Sequence, residues 1–499
     1  MLKKNIYTIL FLTALVMGAT SCKKWFDLKP ADGIIRQDYW KTKEDIEAVM
    51  VGTYGSLLAD PNGATKQISE LMFLWGELRA DMVEAYLGTT AEEYDVMNVN
   101  ILPTNSIVNW RPFYQTINYC NTIIDFAPDV LNSDKTLTQE KLNNYIAEAK
   151  ALRALLYFYL VRSFGEVPLK LRSTSSDEEI VSIPKNTQEE VLNQILLDLE
   201  DAEAKAATDY GDIASNKGRI TRYTVNCIQA DVYLWMERYE DCIAACDKVI
   251  NSRRFGLIAG SAAWFDVLYR QGNSNEGIFE LQYDQQRLNN FYQMFGVGNR
   301  RLIAANKVMD DVYTIDNTNN LKDLRSAGVA LRLEDNVIWK YIGANAEQMV
   351  AADGSHTHWF VYRYADVLLM KAEALAQLDG RGQEALDLVY QIRNRAGALA
   401  ATDLNPDPSN KHDVALFVLE ERAREFMFEG KRWYDLLRYA KRNDYENLEY
   451  MIDLLVSRVP ANSIRTTQAK LRDKNSHYFP IYEYELTTNK QLVQNPFYK

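Results

Sequence analysis

The sequence is poor in the residues that most enzyme and metal sites use. Its 499 residues include 4 histidines and 5 cysteines. It lacks the motifs G-x-S-x-G, H-E-x-x-H, G-x-x-x-x-G-K-[ST] and G-x-G-x-x-G, which mark common hydrolases, metalloproteases and nucleotide-binding proteins. We therefore predict a protein that is not an enzyme and that has no metal ion and no cofactor. A surface enzyme such as a glycoside hydrolase is the alternative.

The sequence also lacks an excess of positive charge. Its formal net charge is −12, and no run of lysine and arginine is long enough to form a basic arm. Such a surface would repel a phosphate backbone, so no nucleic acid partner is expected. Hydrophobic residues make up 47% of the chain, which is enough to build a large core.

No apolar run is long enough to cross a membrane, but the N-terminus is typical of a lipoprotein signal. Lys3 and Lys4 precede an apolar stretch over 6–17, which is shorter than the roughly 20 residues of a spanning helix. Small residues at 18–21 are followed by Cys22. We predict that residues 1–21 are a signal peptide and that acylated Cys22 is the membrane anchor. An ordinary signal peptide with an incidental cysteine is the alternative.

The other cysteines do not predict a disulfide framework. Cys242 and Cys246 are four residues apart on a predicted helix and would share one face. A metal ion would need further ligands, and histidine is almost absent nearby. Free buried thiols are therefore predicted for these two residues and for Cys120 and Cys227.

Helical periodicity dominates the rest of the chain. Between 361 and 378, for example, apolar residues recur at steps of three and four, and Gly380 follows as a helix stop. Similar patterns predict helix pairs of about the length of a tetratricopeptide unit. The four predicted pairs are Asn144–Phe164 with Gln188–Ala207, Tyr223–Met236 with Asp241–Ile250, Val361–Leu378 with Glu384–Asn394, and Asp413–Glu429 with Trp433–Lys441.

Two segments, 60–103 and 256–355, lack a sustained period. Short strands are predicted within the second segment, at 277–283 and 337–342. Long irregular segments in a compact domain are usually functional or carry small structures of their own. We therefore expect a ligand site in these segments.

Short motifs follow one another in one order along the chain. They are Phe26–Pro30, Ala147–Ala149, Phe164–Leu169, Gly218–Thr221, Arg363–Ala374, the charged and aromatic positions of Glu421–Arg438, Phe479–Ile481 and Gln494–Tyr498. The series covers nearly the whole mature chain and resembles the SusD/RagB family.

The resemblance implies a mainly α-helical, SusD-like fold. Four tetratricopeptide-like helix pairs would pack against a loop-rich lobe with a few short strands. The signal peptide, 1–21, would precede a single domain, 22–499. The helical scaffold would span about 35–255 and 356–450, the ligand and partner lobe about 60–103 and 256–355, and an extended C-terminal segment 451–499.

The resemblance also implies a function. The protein would be lipid-anchored on the outer membrane and face the cell exterior. There it would capture oligosaccharide or polysaccharide and pass it to a SusC-like TonB-dependent β-barrel transporter. A receptor for peptides and a tetratricopeptide-type interaction scaffold are the alternatives.

The charged motif residues are expected to stabilise the fold. Glu421, Glu425 and Glu429 are spaced by four and would stack on one face of a helix, where like charges repel. An ion-pair network that joins this helix to its neighbours would offset the repulsion. The arginines within reach are Arg422, Arg424 and Arg432. Arg363 and Asp366 are interpreted in the same way, as a pair on a helix surface.

Loop aromatics are the best candidates for ligand contact. Sugars stack their C–H surfaces on aromatic rings, while amides, carboxylates and arginines bind the hydroxyl groups. The candidate ligand-binding residues are Trp75, Asp81, Tyr86, Tyr94, Tyr292, Phe295 and Arg300.

Overall fold

A computed structural model describes residues 39–59, 66–174, 181–296, 298, 300–313, 323–398 and 406–499. The predicted signal peptide and Cys22 lie outside these residues. The α-helices, in chain order, are α1 (Lys43–Leu58), α2 (Ile68–Glu77), α3 (Ala91–Met97), α4 (Arg111–Ser133), α5 (Gln139–Phe164), α6 (Gln188–Lys205), α7 (Ile213–Gly218), α8 (Arg222–Trp235), α9 (Tyr239–Ser252), α10 (Phe291–Phe295), α11 (Tyr364–Leu375), α12 (Gly382–Arg395), α13 (Lys411–Glu425), α14 (Arg432–Tyr445), α15 (Leu448–Val456), α16 (Ile464–Leu471) and α17 (Glu483–Thr488).

The strands are few and short. They are β1 (Val83–Ala85), β2 (Gly277–Leu281), β3 (Leu302–Ala304), β4 (Leu331–Arg332), β5 (Val337–Ile338) and β6 (Trp359–Arg363). They form antiparallel two-stranded sheets in the combinations β1–β3, β2–β6 and β4–β5. The predicted mainly helical fold with a few short strands is confirmed.

All four predicted helix pairs are present. They are α5 with α6, α8 with α9, α11 with α12, and α13 with α14, and the members of each pair pack together. Each pair also contacts the next, because α6 packs on α8, α9 on α11, and α12 on α13. The pairs therefore form one continuous stack, as expected when no single pair can bury its apolar face alone.

Threonine residues fix where several of these helices begin. The side chain of Thr138 accepts a hydrogen bond from the backbone N–H of Lys141 at the start of α5. Thr187 forms a capping box with Glu190 at the start of α6, and Thr221 caps α8. Such caps satisfy backbone N–H groups that have no partner within the helix.

The structure corrects one predicted helix boundary and the description of two segments. Val361 lies in strand β6, and the helix begins only at Tyr364. The segment 60–103 contains α2, β1 and α3. Every residue of α2 is buried, so this helix has no polar face and its sequence has no amphipathic pattern. The C-terminal segment 451–499 is not extended: it carries the end of α15 followed by α16 and α17.

The cysteine prediction is confirmed. Cys120, Cys227, Cys242 and Cys246 are free and buried. Burial raises the pKa of Cys120 to about 12, which keeps this thiol protonated and unreactive. Among the described helices, none is both long and apolar enough to span a bilayer.

The predicted ion-pair network is present, but it is buried and contains different arginines. Arg325 donates to Glu421 at 2.7 Å and to Glu425 at 2.8 Å. Arg363 donates to Glu425 at 2.5 Å and to Glu429 at 3.0 Å. Helix α13 ends at Glu425, so Glu429 lies beyond the helix and does not share a helix face with Glu421 and Glu425.

The arginines that were predicted to offset the glutamates mostly bind elsewhere. Arg424 does pair with Glu421, at 3.5 Å. Arg422 instead pairs with Asp435 at 2.8 Å. Arg432 pairs with an aspartate outside the scaffold helices, as described below. Sequence spacing shows which groups share a helix face, but it does not show which distant chain segment packs there.

Arg363 and Asp366 do not form a surface pair. The Arg363 side chain is fully buried, and the Asp366 carboxylate accepts the backbone N–H of Arg363 at 2.9 Å and the Lys431 ammonium at 2.5 Å. The Asp366 carboxylate faces Lys431. The motif around Arg363 therefore joins β6 to α11 inside the core.

Candidate functional site

Two sequence-predicted ligand residues, Trp75 and Phe295, are core residues in the structure. Neither is exposed. The indole N–H of Trp75 donates to the carbonyl of Ile107 at 2.7 Å, and Phe295 packs against Phe73 with ring centroids 5.1 Å apart. A side chain without exposed surface cannot contact a ligand in this structure, so both are set aside as structural.

Asp81 is also buried, and it has a structural role. Its carboxylate accepts from Arg432 at 2.8 Å and from Lys307 at 2.7 Å. Burial alone would raise the pKa of Asp81, but the two cations hold it well below its usual value. The carboxylate is thus ionised, paired and enclosed, and it joins the loop-rich lobe to the start of α14.

Tyr86 and Arg300, in contrast, are brought together at the surface. They follow β1 and precede β3, which pair with Val83 opposite Ala304. The backbone N–H of Tyr86 donates to the carbonyl of Arg301 at 3.1 Å and extends this pairing. The guanidinium carbon of Arg300 lies 4.4 Å from the centre of the Tyr86 ring. A cation held above an aromatic face in this way is attracted by the ring quadrupole.

Two further residues complete this surface, and the sequence analysis did not predict them. The β4–β5 hairpin presents Asp335, which accepts from Arg300 at 2.7 Å and from Arg332 at 2.9 Å. Burial would raise the pKa of Asp335, but the two arginines lower it, so the carboxylate stays ionised. We call Tyr86, Arg300, Arg332 and Asp335 the loop-lobe face.

The loop-lobe face is only partly shielded. The side chains of Arg300, Arg332 and Asp335 retain 11%, 21% and 27% of their accessible surface. Leu87, next to Tyr86, is 81% exposed. The face thus offers an aromatic ring, two guanidinium groups and a carboxylate to an incoming molecule.

Buried ion pairs hold the backbone beneath the loop-lobe face. Arg301, adjacent to Arg300, donates to Glu93 at 2.9 Å and to Glu70 at 3.2 Å. Both glutamates are nearly or fully buried. Because Glu70 lies on α2 and Glu93 on α3, Arg301 fixes β3 to two helices and positions its neighbour.

The remaining predicted residues, Tyr94 and Tyr292, lie on the flanking helices. Tyr94 is on α3 and is 46% exposed. Tyr292 is half-buried on α10, which is held to Arg301 by a 2.9 Å hydrogen bond from its N–H to the carbonyl of Met294. The two irregular segments of the sequence are therefore neighbours in space, and four of the seven predicted residues keep some accessible surface there.

A separate cavity of about 300 Å³ lies between α7 and the chain that leads into β2. It is lined by Thr208, Ile213, Asn216, Lys217, Thr221, Tyr223, Arg254, Phe255, Asn273, Ser274 and Asn275. We call it the α7 cavity. The sequence analysis missed it because its walls come from four separate segments, and none of them carries a recognisable binding motif.

The described acidic side chains of the ionic core lie in ion pairs. No group of three or more His, Cys, Asp or Glu side chains there is placed to hold a metal ion. The buried glutamates of the ionic core share arginine or lysine partners. Burial alone would raise the pKa of Glu429, but the charges of Arg363 and Lys340 lower it to about 2. Glu429 is therefore ionised and paired within the core.

Two family models match different parts of this chain and together cover most of its length. Residues 25–234 match a family described as "Starch-binding associating with outer membrane". Residues 266–498 match the SusD family. Curated relatives include SusD-like protein P38 of Formosa agariphila, which is 29% identical over 88% of this chain and 92% of its own length. A SusD-like protein of Bacteroides ovatus is 22% identical over 90% of this chain and 84% of its own length.

Solved structures match the fold. A SusD superfamily protein from Bacteroides vulgatus superposes with a TM-score of 0.72, at 21% identity, over 92% of this chain and 100% of the other. One from Bacteroides thetaiotaomicron superposes with a TM-score of 0.69, at 22% identity, over 92% and 99%. At this identity the likeness concerns the fold alone.

Proposed function

Because the chain belongs to the SusD/RagB family, whose members are non-catalytic binding proteins, we propose that it captures a saccharide at the cell surface. The cargo would be an oligosaccharide or a polysaccharide. It would pass to a SusC-like TonB-dependent transporter in the outer membrane. The description of the family matched by residues 25–234, which names starch binding and the outer membrane, supports this proposal.

The arrangement of the loop-lobe face is the observation that carries the proposal. A ring such as Tyr86 offers a surface for the C–H groups of a sugar. Arg300, Arg332 and Asp335 offer donors and acceptors for its hydroxyl groups, and each is already oriented by its neighbours. Binding would cost little side-chain conformational entropy, because the ion pairs already fix these side chains in the free protein.

The proposed membrane anchor is Cys22. Acylation of this residue would hold the folded body at the outer membrane, facing the exterior. The segment 23–38 would connect the anchor to α1. Tyr94 and Tyr292 would extend the ligand contact from the helices that flank the loop-lobe face.

Isothermal titration calorimetry against a panel of neutral oligosaccharides tests the proposal. We expect binding by the intact chain and binding about tenfold weaker by Tyr86→Ala, because truncating an aromatic contact at the centre of an interface costs more than about 1 kcal/mol. Tyr484→Ala is the matched control, since Tyr484 is 63% exposed on α17 and far along the chain from this face.

Three outcomes would contradict the proposal. Equal affinity of Tyr86→Ala and the unmodified chain would remove the loop-lobe face from the binding site. Release of reducing ends during incubation would indicate an enzyme. If the chain binds peptides and none of the saccharides, it is a receptor for peptides.

A further inference from the structure

We propose that the α7 cavity is a second ligand site, specific for a saccharide unit that carries a negative charge. The charged group would be a carboxylate or a sulfate ester. This inference goes beyond the proposed function, because it concerns a different site and does not require the loop-lobe face to bind anything.

The cavity has the size and the walls of a small-ligand site. Its volume of about 300 Å³ lies at the lower end of the range in which proteins bind small molecules. Tyr223 and Phe255 form one wall, with ring centroids 5.5 Å apart in an edge-to-face arrangement. Ile213, 66% exposed, lies at the rim. These groups suit the apolar face of a pyranose ring.

The asparagine side-chain oxygens in the cavity are already used by the protein. Asn216 Oδ1 accepts the backbone N–H of Tyr210 at 2.7 Å, and Asn273 Oδ1 accepts Gln282 at 2.6 Å. In the amide orientation that satisfies both of its atoms, Asn275 accepts from the Gly256 N–H at 3.2 Å. No aspartate or glutamate is among the described residues that line the cavity.

Several donors, in contrast, have no acceptor in the described part of the chain. They include the side-chain N–H groups of Asn273 and the hydroxyl groups of Tyr223 and Ser274. A cavity whose acceptors are engaged and whose donors are free prefers a ligand that is rich in acceptors. Carboxylate and sulfate groups have this property.

Lys217 is the strongest hydrogen-bond donor in the α7 cavity. It is buried, and its ammonium lies 4.6 Å from the centre of the Phe255 ring. Its Nζ donates to the carbonyl of Gly277 at 2.5 Å, and no carboxylate lies within ion-pair distance of it among the described residues. Burial lowers the pKa of Lys217 to about 8, partly offset by Glu280, so it remains largely cationic at neutral pH. A buried cation with one neutral acceptor is costly until an anion joins it.

Arg254 brings a second positive charge to the entrance. Its Nη1 donates to Asp209 at 3.1 Å, and its guanidinium carbon lies 5.7 Å from the centre of the Tyr223 ring. Its other guanidinium nitrogens have no hydrogen-bond acceptor among the described residues. The pair with Asp209 is about half exposed, so the solvent screens much of its attraction. A ligand anion between Lys217 and Arg254 would be bound by two cations while the sugar ring packs on the aromatic wall.

The test compares glucose, glucuronic acid and glucose 6-sulfate, which differ only at carbon 6. Binding to the intact chain is measured by calorimetry at constant ionic strength, because salt screens charged contacts. We expect about tenfold or greater preference for at least one charged sugar over glucose, since hydrogen bonds to a charged group are the stronger class. Which of the two charged sugars binds identifies the anion.

Four substitutions locate the effect. Lys217→Gln and Arg254→Gln should each reduce the preference severalfold, and the exposed Arg254 can be replaced without disturbing the core. Arg253→Gln is the matched control, because it removes the same charge at the adjacent position, which does not line the cavity. Tyr86→Ala should leave the preference unchanged, which separates this site from the loop-lobe face.

Equal affinity for the three sugars would overturn the inference. So would a preference that survives both Lys217→Gln and Arg254→Gln. Loss of the preference in Tyr86→Ala would place the anion on the loop-lobe face and would also reject the α7 cavity as its site.

Discussion

Two arginines, Arg363 and Arg300, use the same chemical group in opposite ways. Arg363 has no exposed side-chain surface and donates to three different glutamates from the centre of the core. Arg300 keeps 11% of its side-chain surface and contacts a single carboxylate and a tyrosine ring. The comparison shows that charge alone does not mark a binding site. A buried arginine with every acceptor inside the protein stabilises the fold, whereas one that keeps some exposed surface can exchange partners.

The aromatic residues divide in the same way. Trp75 stacks on Phe113 with ring centroids 4.6 Å apart and has no exposed surface. Tyr86 has a partly exposed ring and a cation above it. Within the one segment 60–103, the enclosed Trp75 ring therefore stabilises the core, whereas the Tyr86 ring is available to other molecules.

Arg363→Ala should have the largest effect on stability. It would leave Glu276, Glu425 and Glu429 buried with fewer partners, and breaking a buried ion pair typically costs about 3–5 kcal/mol. We expect a loss at or above this range in the free energy of unfolding, measured by chemical denaturation, or failure to fold. Arg363→Lys, which keeps a charge but loses the planar fork, should lose less. A stability change below about 1 kcal/mol in Arg363→Ala would contradict the assignment of a structural core.

Glu77→Gln should have an effect that depends on pH. Glu77 is buried and accepts the backbone N–H of Gly430 at 2.8 Å, and burial raises its pKa to about 8. The folded chain therefore holds a proton that the unfolded chain releases above its ordinary pKa of 4.5. The stability contributed by this group is lost as the pH rises from there to about 8.

The glutamine variant has no such proton to lose. Its free energy of unfolding should match that of the unmodified chain near pH 5 and exceed it by roughly 4 kcal/mol at pH 9. Denaturation of both proteins at several pH values measures the difference, in which other titrating groups cancel. A difference that stays constant between pH 5 and pH 9 would show that Glu77 titrates normally.

Arg300→Gln should have the smallest effect on stability. Its ion pair with Asp335 is partly exposed, and such pairs contribute at most about 1 kcal/mol. The unfolding midpoint in denaturant should hardly move, while saccharide binding weakens. A large loss of stability would remove the distinction between Arg300 and Arg363 on which the comparison rests.

The scaffold was predictable because its helices follow local rules. Amphipathic stripes and glycine stops are encoded within a few residues, so the four helix pairs could be found from the sequence. α2 was missed because it is buried on all sides and has no polar face. Arg325, which binds both Glu421 and Glu425, was missed because it lies about a hundred positions away along the chain.

The loop-lobe face was only half predictable. Aromatic and charged residues in irregular segments indicated Tyr86 and Arg300, and the pairing of β1 with β3 brings them together. The same criterion also selected Trp75, Asp81 and Phe295, because composition does not reveal which side chains turn inward. Asp335 was not found, since a polar residue in a hairpin turn has no local signal until its long-range partner is known.

A crystal structure of the chain with a bound neutral oligosaccharide tests the central claim most directly. We predict that the sugar lies against the Tyr86 ring, with its hydroxyl groups within hydrogen-bond distance of Arg332 or Asp335, while the ionic core around Arg363 is unchanged. A sugar bound on the helical stack, with the loop-lobe face empty, would contradict the account.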